Sequence, residues 1–226
     1  MICTFIIISY ILILYILSFL FLKKRYDPRK EKTFVSYLKS EFKFLVLSVV
    51  VLISVSVVVG LYTYDKDLDA LSRVLKWVTL YMGLWLLSKT DFKEKKIPNM
   101  IILILFGIRV IFLIYEILSD MELSDTIILY PLIGGAVGAV IMIVAMIVSR
   151  KGVGMGDVKM FLIIGLYVGG TDIIPVMFYT FFISAIVGII LICTRKAKLK
   201  DSVPMAPFAF LGMATQFFML MLGGYT

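Results

Sequence analysis

The first twenty-two residues, Met1–Leu22, carry no charged side chain. Wound as a helix at ~1.5 Å per residue, such a run reaches ~33 Å, enough to cross the hydrocarbon of a bilayer. Similar apolar runs recur at Phe44–Tyr62, about Ala70–Ser88, Ile97–Leu118, Thr126–Val148, Val158 to about Gly169-Gly170, Ile173–Cys193 and Pro204–Leu222. The chain is 62% hydrophobic, whereas soluble domains run near ~45–50% apolar. A water-soluble core could not hide this much apolar surface. The expected fold class is an all-α polytopic membrane protein of about eight transmembrane helices. It forms a single membrane domain over 1–226, with an N-terminal two-span region in 1–70 and the remaining spans in 71–226.

The charges between the runs order them across the membrane. A secretory signal carries its positive charges before the apolar segment. Here Lys23, Lys24 and Arg25 follow it, which reads as a retained anchor with its N-terminus outside. Four proposed inner loops, taken with Lys159 at the edge of one, hold 19 of the 23 basic residues. Three outer loops hold seven acids and one lysine, Lys66. Cytoplasmic loops retain Lys and Arg, so the pattern predicts a multi-pass protein of the cytoplasmic membrane with both termini outside. Six spans would require two segments, the third and sixth, to be re-entrant. The same rule accounts for the net charge of +8 without nucleic acid as a partner; membrane lipid is the expected one. Arg73 and Lys76 are expected to snorkel toward the outer end of the third span.

The chain contains no histidine. That excludes Ser-His-Asp and Cys-His catalysis and every metal site built on imidazole. Cys3 and Cys193 stand alone, so neither a zinc ribbon nor a disulfide framework is expected. No metal and no cofactor are predicted. Acid–base work falls to Asp, Glu, Lys or Tyr.

Two inner stretches carry acids suited to it. One is Gly152-Val153-Gly154-Met155-Gly156-Asp157-Val158-Lys159. The other runs from Asp91 through Phe92, Lys93, Glu94, Lys95, Lys96 and Ile97 to Pro98 and Asn99, in the inner loop Lys89–Lys96 and just beyond it. Glycines at alternate positions let the backbone turn and let another chain approach closely. The span after Asp157 is short, ~21 Å as a helix against ~30 Å of hydrocarbon, so this end is drawn below the headgroups or the bilayer thins. An ionised Asp at such depth is costly unless paired or wetted. Each acid alone has a bland explanation. Asp157 suits the first turn of a helix, Asp91 is a loop acid among lysines, and Pro98 suits the first turn of the fourth helix. Together, two carboxyls brought close share a proton. One can then take a proton from water while the other donates one. Lys159 could favour an ionised Asp157 or act as a snorkelling anchor.

These stretches resemble the type IV prepilin peptidase family, which includes the archaeal preflagellin peptidases and uses GxGD aspartyl chemistry. Its first motif, an Asp followed six residues later by Ile or Leu, then Pro and Asp or Asn, is met by Asp91, Ile97, Pro98 and Asn99. Its second, GxGD with a Lys two residues on, is met by Gly154, Gly156, Asp157 and Lys159. Pro204, Pro207 and Phe208 match the Pro-x-x-Pro-Phe stretch of bacterial members. The likeness covers about residues 80–215. It implies a peptidase core in 71–226 with Asp91 and Asp157 as the catalytic dyad and Gly154 and Gly156 shaping the turn that admits the substrate backbone. It implies cleavage of the basic leader of pilin-like precursors at the cytoplasmic face. Many bacterial members carry a cysteine-paired zinc module in the first cytoplasmic loop and methylate the new N-terminus. Residues 23–43 contain no cysteine, and methyl transfer is not expected.

Two further features invite structural explanations. Arg109, near the middle of the fourth span, is costly there, and Glu116 lies seven residues on along the same face; a structural pair or a polar link between helices is the expectation. Gly134 and Gly138 form GxxxG in the fifth span, which reads as helix packing. The rival functions are an ion-coupled transporter using the two acids and a non-catalytic scaffold of a secretion machine.

Overall fold

The computed structural model describes residues 2–26, 68–119, 124–149, 153–170, 172–195 and 203–222. Within them all the regular structure is helical: α1 (Ile2–Tyr26), α2 (Leu68–Glu94), α3 (Asn99–Ser119), α4 (Ser124–Val148), α5 (Met155–Val168), α6 (Ile173–Cys193) and α7 (Ala206–Leu222). The expected second span, Phe44–Tyr62, lies outside the described residues. Three helical segments, Asn99–Ser119, Asp125–Val148 and Ile173–Cys193, are long and apolar enough to cross a membrane. The architecture is that of a polytopic all-α membrane protein.

The chain divides into two compact units, Met1–Met82 and Gly83–Thr226, and the boundary falls inside α2. In the first unit the Tyr10 hydroxyl meets Thr79 Oγ1 at 2.7 Å, and that hydroxyl also donates to the Leu75 carbonyl at 2.7 Å.

The second unit contains every candidate site residue. Its most extensive helix pair is α4 with α5, followed by α6 with α7. The α4–α5 contact explains GxxxG: a Cβ on Gly134 would run into the Gly165 carbonyl, and one on Gly138 into the Phe161 carbonyl. The backbones approach this closely because Gly134 and Gly138 carry no side chain. Gly212 of α7 lies equally close to Thr180 of α6.

Helix α5 is only 14 residues long, ~21 Å. It stops where Gly169 and Gly170 adopt φ of 85° and 41°, values that favour glycine. The Gly170 N–H, which would have continued the helix, turns to the Tyr130 carbonyl at 2.6 Å. Two hydrogen bonds then hold α5 to α3. Arg109 Nε donates to the Leu166 carbonyl at 2.7 Å, satisfying one of the carbonyls that a helix end leaves without a partner. The Tyr167 hydroxyl donates to the Leu105 carbonyl at 2.8 Å. Arg109 Nη1 also pairs with Glu116 at 3.1 Å. The intramembrane arginine is therefore both a partner of Glu116 and a link between helices.

One expectation is corrected. The inner loop was expected to run from Lys89 to Lys96 with Asp91 near its start, but α2 continues as helix to Glu94. Nothing between Ser88 and Ile97 breaks a helix, and Pro98 is the first residue that disfavours helical backbone before it. Thr90 Oγ1 bonds back to the Leu87 carbonyl at 2.9 Å. The helix ends when Lys95 takes φ of 50°, its N–H meeting the Asp91 carbonyl at 2.8 Å. Asp91 is thus a buried residue of the last helical turn, 5% exposed.

Candidate functional site

Three helix termini meet around the two acids: the C-terminal turn of α2 and the N-terminal turns of α5 and α7. Asp91 Oδ2 accepts the N–H of Ala206, the first residue of α7, at 3.0 Å. The Met205 N–H also supports this carboxyl. An anion is favoured at such a terminus, where N–H groups lack intrahelical partners.

Asp157 occupies the third position of α5, and its Oδ2 accepts the N–H of Gly154 at 3.1 Å. That contact is an ordinary helix cap and would by itself account for an acid here. The cap does not account for the proximity of Asp91, whose charge reaches Asp157 and raises its pKa.

Both carboxyls lie outside the three long apolar helices. Burial pushes Asp91 above the usual carboxylate value, while the Ala206 and Met205 N–H groups and the Lys95 charge pull it back. Burial also pushes Asp157 up; the Gly154 N–H opposes this and the Asp91 charge adds to it. A pair disposed in this way holds a proton between its members more readily than isolated carboxyls do.

The residues around the acids interlock. A Cβ on Gly156 would lie 3.0 Å from Ile97 Cβ, so the glycine lets α5 begin directly against the Ile97-Pro98 segment. Lys159 Nζ donates to Asn99 Oδ1 at 3.1 Å, joining the first turns of α3 and α5. Pro98 stands one residue before α3, and its carbonyl receives the Ile101 N–H at 3.2 Å. Gly154 is different: its φ of −89° and ψ of 156° are extended values open to any residue. A Cβ there meets Asp157 Oδ2 at an ordinary 3.5 Å.

An open cavity of about 460 Å³ lies between α3 and α5, and neither acid lines it. Asn99 and Lys159 line it together with Met100, Leu103, Phe106, Leu162 and Ile163. These positions recur every three or four residues on both helices, so one face of each contributes. Among the described residues no group of three or more His, Cys, Asp or Glu side chains gathers to hold a metal.

The contacts of Asp91 with Ala206 and Met205, and of Gly156 with Ile97, are not legible in the sequence. The only hint of the first was the pair Pro204 and Pro207 bracketing the start of the last helix. Arrangement and chemistry together allow proton exchange between two carboxyls.

A family model described as the type IV leader peptidase family matches residues 78–193. The matched segment holds both acids and helices α3 to α6 and ends before α7. Comparison with curated proteins and with solved structures gave no match.

Proposed function

The chain belongs to the type IV leader peptidase family, and on that premise we propose that it is a membrane aspartyl endopeptidase. It removes the basic leader of pilin-like or archaellin-like precursors at the cytoplasmic face of the membrane. Membership of a peptidase family supports proteolysis in general. What supports the more specific reading is that Gly156, beside Asp157, packs against Ile97 just past the end of α2 that bears Asp91, and that the Asp91 charge is felt at Asp157.

In this reading the dyad holds one proton. Water attacks the scissile carbonyl carbon as the ionised carboxylate takes its proton, and the protonated carboxyl donates to the carbonyl oxygen. The gem-diol then collapses. The first carboxyl passes its proton to the leaving nitrogen, the C–N bond breaks, and a hydroxyl proton returns to the second. Both acids end as they began. Gly156 and the Lys159–Asn99 contact hold α5 against α3 at this point, and Gly154 caps Asp157. The cavity between α3 and α5 offers apolar surface near the α5 start, although neither acid lines it. The topology that accompanies this reading has eight spans, both termini outside, and a peptidase core in 71–226 behind a two-span N-terminal region in 1–70.

Co-expression with a pilin-like precursor tests the proposal. Asp91→Asn and Asp157→Asn each abolish leader removal while the protein still accumulates in the membrane. Near-normal processing by either variant contradicts the assignment.

A further inference from the structure

Hydrolysis needs two like groups, Asp91 and Asp157, in different protonation states, and their surroundings are unequal. Asp91 faces the N-terminus of a 17-residue helix, α7. The Ala206 N–H reaches its Oδ2 at 3.0 Å, and the Met205 N–H adds a second donor. The segment 205–210 of α7 is Met-Ala-Pro-Phe-Ala-Phe and brings no opposing charge. Lys95, just past the end of α2, contributes a positive charge, and Asp157 of α5 is the acid opposite. Among the described residues, Asp157 has a single donor, the Gly154 N–H of its own helix cap at 3.1 Å. The nearby cation Lys159 is turned to Asn99. Asp157 also faces the charge of Asp91.

We propose that the N-terminus of α7 sets the division of labour in the dyad: Asp91 is the carboxylate that takes the proton from water, Asp157 is the carboxyl that protonates the scissile carbonyl, and Ala206 is a positioning residue acting through its N–H. This deepens the aspartyl-peptidase reading and rests on it. In the forward step Asp91 gains the water proton and Asp157 loses its own to the carbonyl oxygen. In the collapse Asp91 gives its proton to the leaving nitrogen and Asp157 recovers one from the gem-diol. The last helix, remote in sequence and outside the family match, thereby becomes part of the machinery.

The test removes one hydrogen. Ala206→Pro deletes the N–H that Asp91 accepts, and proline is tolerated in the first helical turn, where its fixed φ suits the helix. Ala206→Gly keeps the N–H and is the control. The readout is the pH profile of kcat/KM, bounded by the ionisation of the base on the acid side and of the acid on the alkaline side. Loss of one charge-assisted hydrogen bond moves the acid limb of Ala206→Pro up by about one pH unit, roughly a tenfold loss of kcat/KM on that limb. Ala206→Gly keeps the wild-type limb. If the acid limb stays and the alkaline limb moves up instead, Asp91 is the acid and the proposal is overturned. Should the proline variant not fold, carboxyl ¹³C resonances of labelled wild-type protein give the order directly, assigned through Asp91→Asn and Asp157→Asn. Asp91 ionises first, and the reverse order overturns the proposal. Normal processing by the Asn variants would instead defeat the peptidase reading itself.

Discussion

Replacing Arg109 with Leu removes the charge that closes the end of α5 inside the fold. Two contacts are lost together: the 2.7 Å bond to the Leu166 carbonyl and the 3.1 Å pair with Glu116. The Leu166 carbonyl has no replacement in its own helix, because the Gly170 N–H is committed to Tyr130. Breaking a buried pair by deleting one partner costs about 3–5 kcal/mol. Glu116 has other interactions, so the low end, about 3 kcal/mol, is the appropriate figure. At roughly 2–4 °C per kcal/mol for a chain of this size, Arg109→Leu lowers the unfolding midpoint by about 6–12 °C. Glu116→Leu costs less, since Arg109 keeps its bond to α5. The double variant costs less than the sum of the singles, by about 1–3 kcal/mol, because the pair disappears as a unit. Thermal unfolding in detergent, followed by tryptophan fluorescence, measures all four corners of the cycle. An Arg109→Leu protein that unfolds at or above the wild-type temperature, or singles that add, would refute this account of α5.

Three shorter predictions follow from the site. Asp157→Asn should be at least as stable as wild type near pH 7: both carboxyls are raised, so their contribution to stability is complete below the ordinary Asp value of ~3.9 and is lost as pH rises through the folded values. The advantage of the Asn variant should close as the unfolding scan is taken below about pH 4, and an advantage that instead widens there has the sign wrong. Gly156→Ala should cut cleavage by roughly tenfold, since a Cβ 3.0 Å from Ile97 makes the Ile97 segment and the start of α5 part by a few tenths of an ångström next to the dyad. Gly154→Ala should retain most activity, and equal losses in a kinetic comparison would refute the distinction. Cleavage by purified protein should persist in excess chelator, and loss on chelation restored by zinc would show that a metal takes part.

The regular parts of this fold were legible because an apolar run needs no knowledge of its neighbours. Ile173–Cys193 was read with the limits that the structure gives, and the fifth and last spans were read to within two residues of their helices. The end of α2 was misread because charge was taken to mark a loop. Lys93, Glu94 and Asp91 are compatible with helix, and only Pro98 enforces a stop. At the site, the two motifs named both acids, but the third element around them was not predictable. Asp91 and Ala206 are brought together by tertiary packing, and no local pattern records that an N–H of the last helix will meet a carboxylate of α2. The fit of Gly156 against Ile97 is likewise a matter of backbone approach. Arg109 shows the opposite case: its cost in a membrane made a structural partner predictable, though not that the partner would include the end of a short helix.

The central claim, hydrolysis by a dyad of Asp91 and Asp157, is tested most directly with purified protein in lipid vesicles and a purified pilin-like precursor. Mass measurement of the products identifies the bond cut. Wild-type protein should release an intact basic leader by a single cut just before the apolar helix of the precursor, and Asp91→Asn and Asp157→Asn, folded by the unfolding assay, should release none. A leader released at the wild-type rate by either folded variant would contradict the account.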